Sequence, residues 1–153
     1  MKKLLVPTDF SPVAQNAYQY ALKLARRVDG EVILLHVFDD AGMGELLTLP
    51  DLTEFAIAAK TRETERALKA FRQYEGQLRE QLGMQEVPVS HVLLFGNPIA
   101  TIVRYGNERE VDMIVMGTAG ENNPVRRVLG TQTEHVLAHA KRPVLAVPQD
   151  VEF

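Results

Sequence analysis

No cysteine occurs among the 153 residues, which excludes a disulfide scaffold, a cysteine-ligated iron–sulfur centre and a thiolate zinc site. A reducing, cytoplasmic location fits that composition. Basic charge is not in excess either: 17 Lys and Arg against 20 Asp and Glu leave a formal net charge of −3. The basic residues are interspersed with Glu rather than massed, so the electrostatic footprint of a nucleic-acid binder is missing. No apolar run approaches membrane-spanning length. The opening run Leu4-Leu5-Val6 is too short for a signal peptide and is cut by Pro7-Thr8-Asp9. Tandem repeats and low-complexity segments are absent as well. What remains is the composition of one ordinary domain spanning residues 1–153, with 46% hydrophobic residues to build a core.

Short β-like runs alternate with helical stretches, the pattern of strand–helix–strand units around a mostly parallel sheet. Strands are expected at residues 3–6, 31–38, 87–95, 112–116 and 143–147. In the second, Val32-Ile33-Leu34-Leu35 reads as buried on both faces. Ser11 offers a helix N-cap with Pro12 at the first helical position. Val13, Ala17, Ala21, Leu24, Ala25 and Val28 mark the apolar face of that helix, and Gly30 ends it. Further helices are expected from Asn97-Pro98 to about Tyr105 and over residues 131–140. A long helix over residues 52–82 carries the stripe Leu68, Phe71, Leu78 and Leu82, and its many charges read as a solvated face. Before it, residues 41–50 read as an apolar loop suited to a lid.

Chemistry concentrates at two strand ends. In an open α/β sheet the ligand crevice lies beyond the carboxyl ends of the strands. The first strand runs into Pro7-Thr8-Asp9, and the fourth into Gly117-Thr118-Ala119-Gly120, followed after nine residues by Gly130-Thr131. Glycines at a strand-to-helix handover let backbone N–H groups approach a phosphate without Cβ atoms in the way. Turn formation is the competing explanation, because neither the P-loop lysine nor Gly-x-Gly-x-x-Gly is present. Asp9 has two compatible roles: bonding backbone N–H groups of its own turn, or accepting from a ribose hydroxyl or holding Mg2+ beside phosphates. Thr131-Gln132-Thr133-Glu134 matches a capping box with Thr131 as the cap. A helix start of this kind is also an anion site, which Gly130, Thr131, Gln132 and Thr133 would face. Met116 is either a pocket wall or core. His36 reads as a half-buried histidine beside the pocket, and His91 as similar. His135 and His139 share a helix face, but no third metal ligand accompanies them. Neither paired carboxylates nor a nucleophile beside a base is evident, so no catalytic residue is assigned.

The spacing Gly117-x2-Gly120-x9-Gly130-Thr131 resembles the signature of the ATP-binding branch of the universal stress protein family. The likeness extends to residues 4–11, 32–37, Gly96-Asn97-Pro98, 112–117 and 143–148. It implies an open five-stranded parallel sheet in the order 3-2-1-4-5 with helices on both faces, Rossmann-like, and an adenine nucleotide such as ATP at its carboxyl edge. By that resemblance Pro7, Thr8 and Asp9 line the nucleoside side, and the backbone of Val37 reads the adenine edge. Gly117 and Gly120 flank ribose and phosphates, and Gly130, Thr131, Gln132 and Thr133 hold the phosphate chain. Glu121, where relatives often carry a basic residue, either weakens phosphate binding by repulsion or points to water. The resemblance also implies a regulatory or stress-response role with slow hydrolysis at most, and a homodimer paired through the last strand, Val144 to Val147. A nucleotide-free dimeric interaction module of the same fold is the alternative.

Overall fold

The computed structural model describes residues 2–38, 53–118 and 130–151, with side chains in the long helix from Arg62 onward except Thr64. The strands are β1 (Lys3–Pro7), β2 (Glu31–Phe38), β3 (Val89–Phe95), β4 (Met113–Gly117) and β5 (Val144–Val147), and the helices α1 (Pro12–Val28), α2 (Thr53–Gln81), α3 (Pro98–Glu108) and α4 (Thr131–His139). All strand pairs are parallel, in the order β3-β2-β1-β4-β5. The fold class and strand order expected from the sequence are therefore those observed. The expected lid loop, Gly120 and Glu121 lie outside the described residues. No described helix is long and apolar enough to cross a membrane.

Successive strand residues point to opposite faces, and here both faces are covered. Leu4, Val6, Val32 and Leu34 pack with Ala17, Tyr18, Ala21 and Leu22 of α1 and Phe71 and Leu78 of α2. Leu5, Ile33, Leu35, Ile114 and Met116 pack on the other face with Ile102 of α3 and Val136 of α4. The strands lead outward from β1 to β3 and then return across the sheet to β4. That reversal opens a crevice between the ends of β1 and β4.

Ser11 caps α1 as expected, accepting from the Ala14 N–H at 3.2 Å, with Pro12 following. Two details at the other end of α1 differ. Val28 is exposed rather than on the apolar face. The left-handed turn is taken by Asp29 (φ 51°), not by Gly30. Gly30 is required one residue later, because a Cβ there would sit 2.7 Å from the Lys2 carbonyl oxygen. The stripe on α2 is as expected: Phe71 and Leu78 are buried, and Leu68 and Leu82 are packed against them.

The charges of α2 are not all solvated. Glu75 is 1% exposed. It accepts from the Tyr18 hydroxyl at 2.5 Å and from His91 Nε2 at 2.7 Å, and it pairs with the Arg79 guanidinium, whose Nε lies 3.0 Å away. Arg79 also donates to the Val87 carbonyl at 2.8 Å. The cluster ties α2 to α1 and to β3. Burial opposes ionisation of Glu75, but the bonds from His91 and Tyr18 and the Arg79 charge outweigh it and hold the carboxyl below its ordinary value. Burial and the same carboxylate push the Tyr18 phenol up.

A folded-state value below the unfolded one means that Glu75 adds stability above the ordinary carboxylate range. That contribution is lost as pH falls through the lowered folded value. Removing the carboxylate leaves three donors facing a buried site. Glu75→Ala is expected to cost about 3–5 kcal/mol in urea unfolding at pH 7, with a smaller difference from wild type at pH 3. An unchanged midpoint at pH 7 would remove this cluster from the stabilising interactions.

Candidate functional site

One cleft of about 430 Å³ opens at the carboxyl edge of the sheet. It collects Pro7, Thr8, Asp9, Val37, Met116, Gly117, Gly130, Thr131, Gln132 and Thr133, every described residue singled out from the sequence for the site. Ser11, Val13, Ala14, Leu35, Pro98 and Ile102 complete the wall together with His36. Pro98 and Ile102 were missed because they lie on α3, which the crevice argument did not consider. Their available signal was the helix start Asn97-Pro98, where Asn97 caps by accepting from the Ala100 N–H at 3.0 Å.

At the β1 end, the turn is built by its own side chains. The Thr8 hydroxyl oxygen accepts from the Phe10 N–H at 3.1 Å, and Asp9 Oδ1 from the Ser11 N–H at 2.9 Å. Asp9 thus plays the turn role, and it leaves Oδ2 outside that bond. Phe10 holds φ 64°, a left-handed conformation costly for a residue with a Cβ. Its ring centroid lies 4.6 Å from that of His36 and 5.3 Å from that of Phe71. His36 Nδ1 lies 2.8 Å from the Thr8 carbonyl oxygen. A carbonyl only accepts, so Nδ1 carries the proton. As expected, His36 is half-buried beside the cleft.

The β2 end presents backbone. Along this strand Glu31 donates to Lys2 on the β1 side and Val32 to Pro88 on the β3 side, so odd-numbered residues face β1. The last rung is Thr8 N–H to the Leu35 carbonyl at 2.8 Å. Val37 is the next residue in that phase. Its N–H and C=O therefore face the space that β1 vacates by turning away.

Opposite lies α4, whose first intrahelical bond is Glu134 N–H to the Gly130 carbonyl at 3.0 Å. The N–H groups of Thr131, Gln132 and Thr133 have no intrahelical acceptor and form the positive end of the helix dipole. The expected capping box is not formed. Gly130 is the N-cap, without a side-chain bond, and Thr131 is already the first helical residue. A second bond explains the shift: the Gly130 N–H is held by the Thr118 carbonyl, which fixes the cap one residue early. The Thr131 side chain is thereby released toward the cleft. Thr133 is 4% exposed, and its hydroxyl donates to the Gly117 carbonyl at 2.6 Å.

Gly117 is needed for a reason the sequence did not suggest. A Cβ at this position would lie 2.2 Å from Val13 Cγ1 and 3.2 Å from the Val13 carbonyl oxygen. The glycine serves the approach of β4 to the start of α1. Gly130, in contrast, adopts φ −66° and ψ 156°, open to any residue. In the described part of the lining the one carboxylate is Asp9, and no Lys or Arg belongs to it. Among the described residues, no group of three or more His, Asp or Glu is placed to hold a metal ion.

An all-parallel doubly wound sheet, with a cleft at its reversal point closed by a helix N-terminus, defines a Rossmann-like α/β protein. The sequence matches the universal stress protein family over residues 1–148, and the chain belongs to that family. Universal stress protein MJ0577 of Methanocaldococcus jannaschii is 33% identical over 156 residues, covering 95% of this chain and 94% of its own. Among solved structures, universal stress protein UspA from Lactobacillus plantarum superposes with a TM-score of 0.73 at 28% identity, covering 95% and 97% of the two chains. A universal stress protein in complex with cAMP shares the fold at a TM-score of 0.67 and 17% identity, covering 97% and 98%.

The packing role of Gly117 has a direct check. Gly117→Ala is expected to destabilise the protein by about 1–3 kcal/mol through overpacking. In the Val13→Ala background, which removes the facing Cγ1, the same change should cost less. Equal costs in the two backgrounds, read by urea denaturation, would contradict the contact.

Proposed function

We propose that the cleft binds an adenine nucleotide, ATP among them, and that occupancy sets a regulatory state in a stress response with little or slow hydrolysis. The observation that carries this reading is the pairing of two backbone features at opposite walls of one cleft. Val37 offers a donor and an acceptor suited to the edge of a planar base. The first turn of α4 offers three N–H groups suited to phosphate oxygens. The spacing of Gly117, Gly130 and Thr131 and the cAMP complex of a protein of the same fold support it. In this reading Pro7, Thr8 and Met116 bound the nucleoside, and Asp9 Oδ2 accepts from a ribose hydroxyl or meets Mg2+ beside the phosphates. Thr131 and Gln132 face the phosphate chain. Gly120 completes the glycine set by family resemblance. Bound nucleotide would supply a conformational signal, since ligands act by differential affinity for two states.

We also propose a cytoplasmic homodimer paired through β5. That strand forms one edge of the sheet, with Val144, Leu145 and Ala146 only half-buried. Sedimentation at micromolar concentration should give twice the monomer mass; monomer alone overturns the dimer. The nucleotide-free module of the same fold would dimerise without binding any adenine nucleotide.

Calorimetry with AMP, ADP and ATP, with and without magnesium, decides the main reading, and absence of binding to all of them overturns it. Gly130→Val is the cleanest variant, because its backbone angles accept a β-branched residue while the side chain would enter the anion-binding turn. It should fold with a normal thermal midpoint and lose nucleotide binding. Asp9→Ala should weaken binding less, by about tenfold, equivalent to about 1.4 kcal/mol. Normal ATP affinity in Gly130→Val would move the site elsewhere.

A further inference from the structure

We infer that the Thr133 hydroxyl is a positioning group for the anion-binding turn and does not itself donate to the ligand. The family resemblance places Thr133 among the groups that hold phosphate, and proton accounting at its hydroxyl leaves that use to its backbone N–H. A threonine hydroxyl has one proton to donate. In Thr133 that proton goes to the Gly117 carbonyl at 2.6 Å, and the side chain is 4% exposed. Phosphate oxygens at neutral pH are predominantly acceptors, so the hydroxyl cannot serve them while this bond stands. Thr131 differs in both respects: it is exposed, and its hydroxyl makes no cap bond.

The bond has a purpose that its geometry indicates. Two links join the start of α4 to the end of β4: Gly130 N–H to the Thr118 carbonyl, and Thr133 hydroxyl to the Gly117 carbonyl. They flank Thr131 and Gln132, whose N–H groups face the cleft. The second link crosses from the third residue of the helix, so it resists the rotation about the helix axis that the first alone permits. Gly117 is itself pressed against Val13 and paired in the sheet with Val147. The latch thus refers the anion-binding N–H groups to a fixed part of the sheet. Preorganised donors of this kind bind without the cost of ordering themselves.

The inference rests on the nucleotide reading for its ligand, but not for its mechanics, and the test separates the two. Thr133→Val keeps the shape and removes the hydroxyl; Thr133→Ser keeps the hydroxyl. Calorimetry with adenosine, AMP and ATP is run on wild type and both variants. Hydrogen exchange at the Thr131 and Gln132 amides is followed by NMR in the nucleotide-free proteins. Thr133→Val should bind AMP and ATP about tenfold more weakly, the equivalent of one lost hydrogen bond, and adenosine within about twofold of wild type by the same conversion. Exchange at Thr131 and Gln132 should accelerate. Thr133→Ser should restore both properties.

Equal losses for adenosine and AMP would show a general structural role and overturn the inference. Weakened AMP binding with unchanged amide exchange would make the Thr133 hydroxyl a direct ligand and also overturn it. Loss in Thr133→Ser as large as in Thr133→Val would do the same. Wild-type protein that binds no adenine nucleotide would overturn the nucleotide reading instead, and the exchange measurement alone would then decide the latch.

Discussion

The carboxyl edge of this protein depends on how closely β4 approaches α1 at Gly117. No side chain fits between that residue and Val13, so strand and helix meet at backbone distance. Three further elements take their position from the joint. The Gly117 carbonyl receives Thr133 and so orients α4. The Thr118 N–H reaches the Val147 carbonyl at 3.2 Å, which continues the β4–β5 ladder by one rung. One turn further along α1, Asn16 donates to the carbonyls of Pro148 and Val151 at 3.0 and 3.1 Å and holds the chain that follows β5. The α4 turn, the edge strand and the tail beyond it are thus joined by one chain of contacts through this point.

On the same face of the sheet, toward β3, the packing is organised by charge instead of close approach. Glu75 is surrounded by donors from α1, α2 and β3, and these outweigh the penalty of burying its carboxylate. This cluster lies behind the aromatic group of Phe10, His36 and Phe71 that backs the β1 turn. His91 belongs to both, with its ring centroid 5.5 Å from Phe71 and its Nε2 on Glu75. The left-handed Phe10 is held in place by this packing, and with it the turn that carries Thr8 and Asp9.

Local signals in the sequence carried most of the architecture. Hydrophobic runs located all five strands to within two residues, and Ser11-Pro12 and Asn97-Pro98 marked two helix starts through capping chemistry that needs no tertiary partner. The strand order came from family resemblance, since no local feature encodes which strands become neighbours. The misreadings share one cause. Thr131 in a capping box, Gly30 as a helix terminator and Glu75 on a solvated face are each the right reading of a local pattern. In each case a distant partner overrides it: the Thr118 carbonyl, the Lys2 carbonyl, and the donors Tyr18 and His91. The packing of Gly117 on Val13 was not legible locally, because Val13 is distant in sequence and adjacent only after folding.

The same override defines the character of the cleft. Its described lining contains no Lys or Arg, and its single carboxylate is Asp9. Within that described part, attraction for an anion comes from dipoles and hydroxyl protons. Not every hydroxyl counts equally. The Thr133 proton is committed to Gly117, whereas the Thr8 oxygen only accepts, from Phe10, and so keeps its proton for another acceptor. Thr8, Ser11 and Thr131 are thus the described hydroxyls left to donate in the cleft, beside the N–H groups of α4. A site made of fixed dipoles depends on direction more than on net charge, because a misaimed N–H contributes little while a misplaced ammonium still attracts. Rigidity at the Gly117 joint accordingly keeps the described dipoles aimed into the cleft.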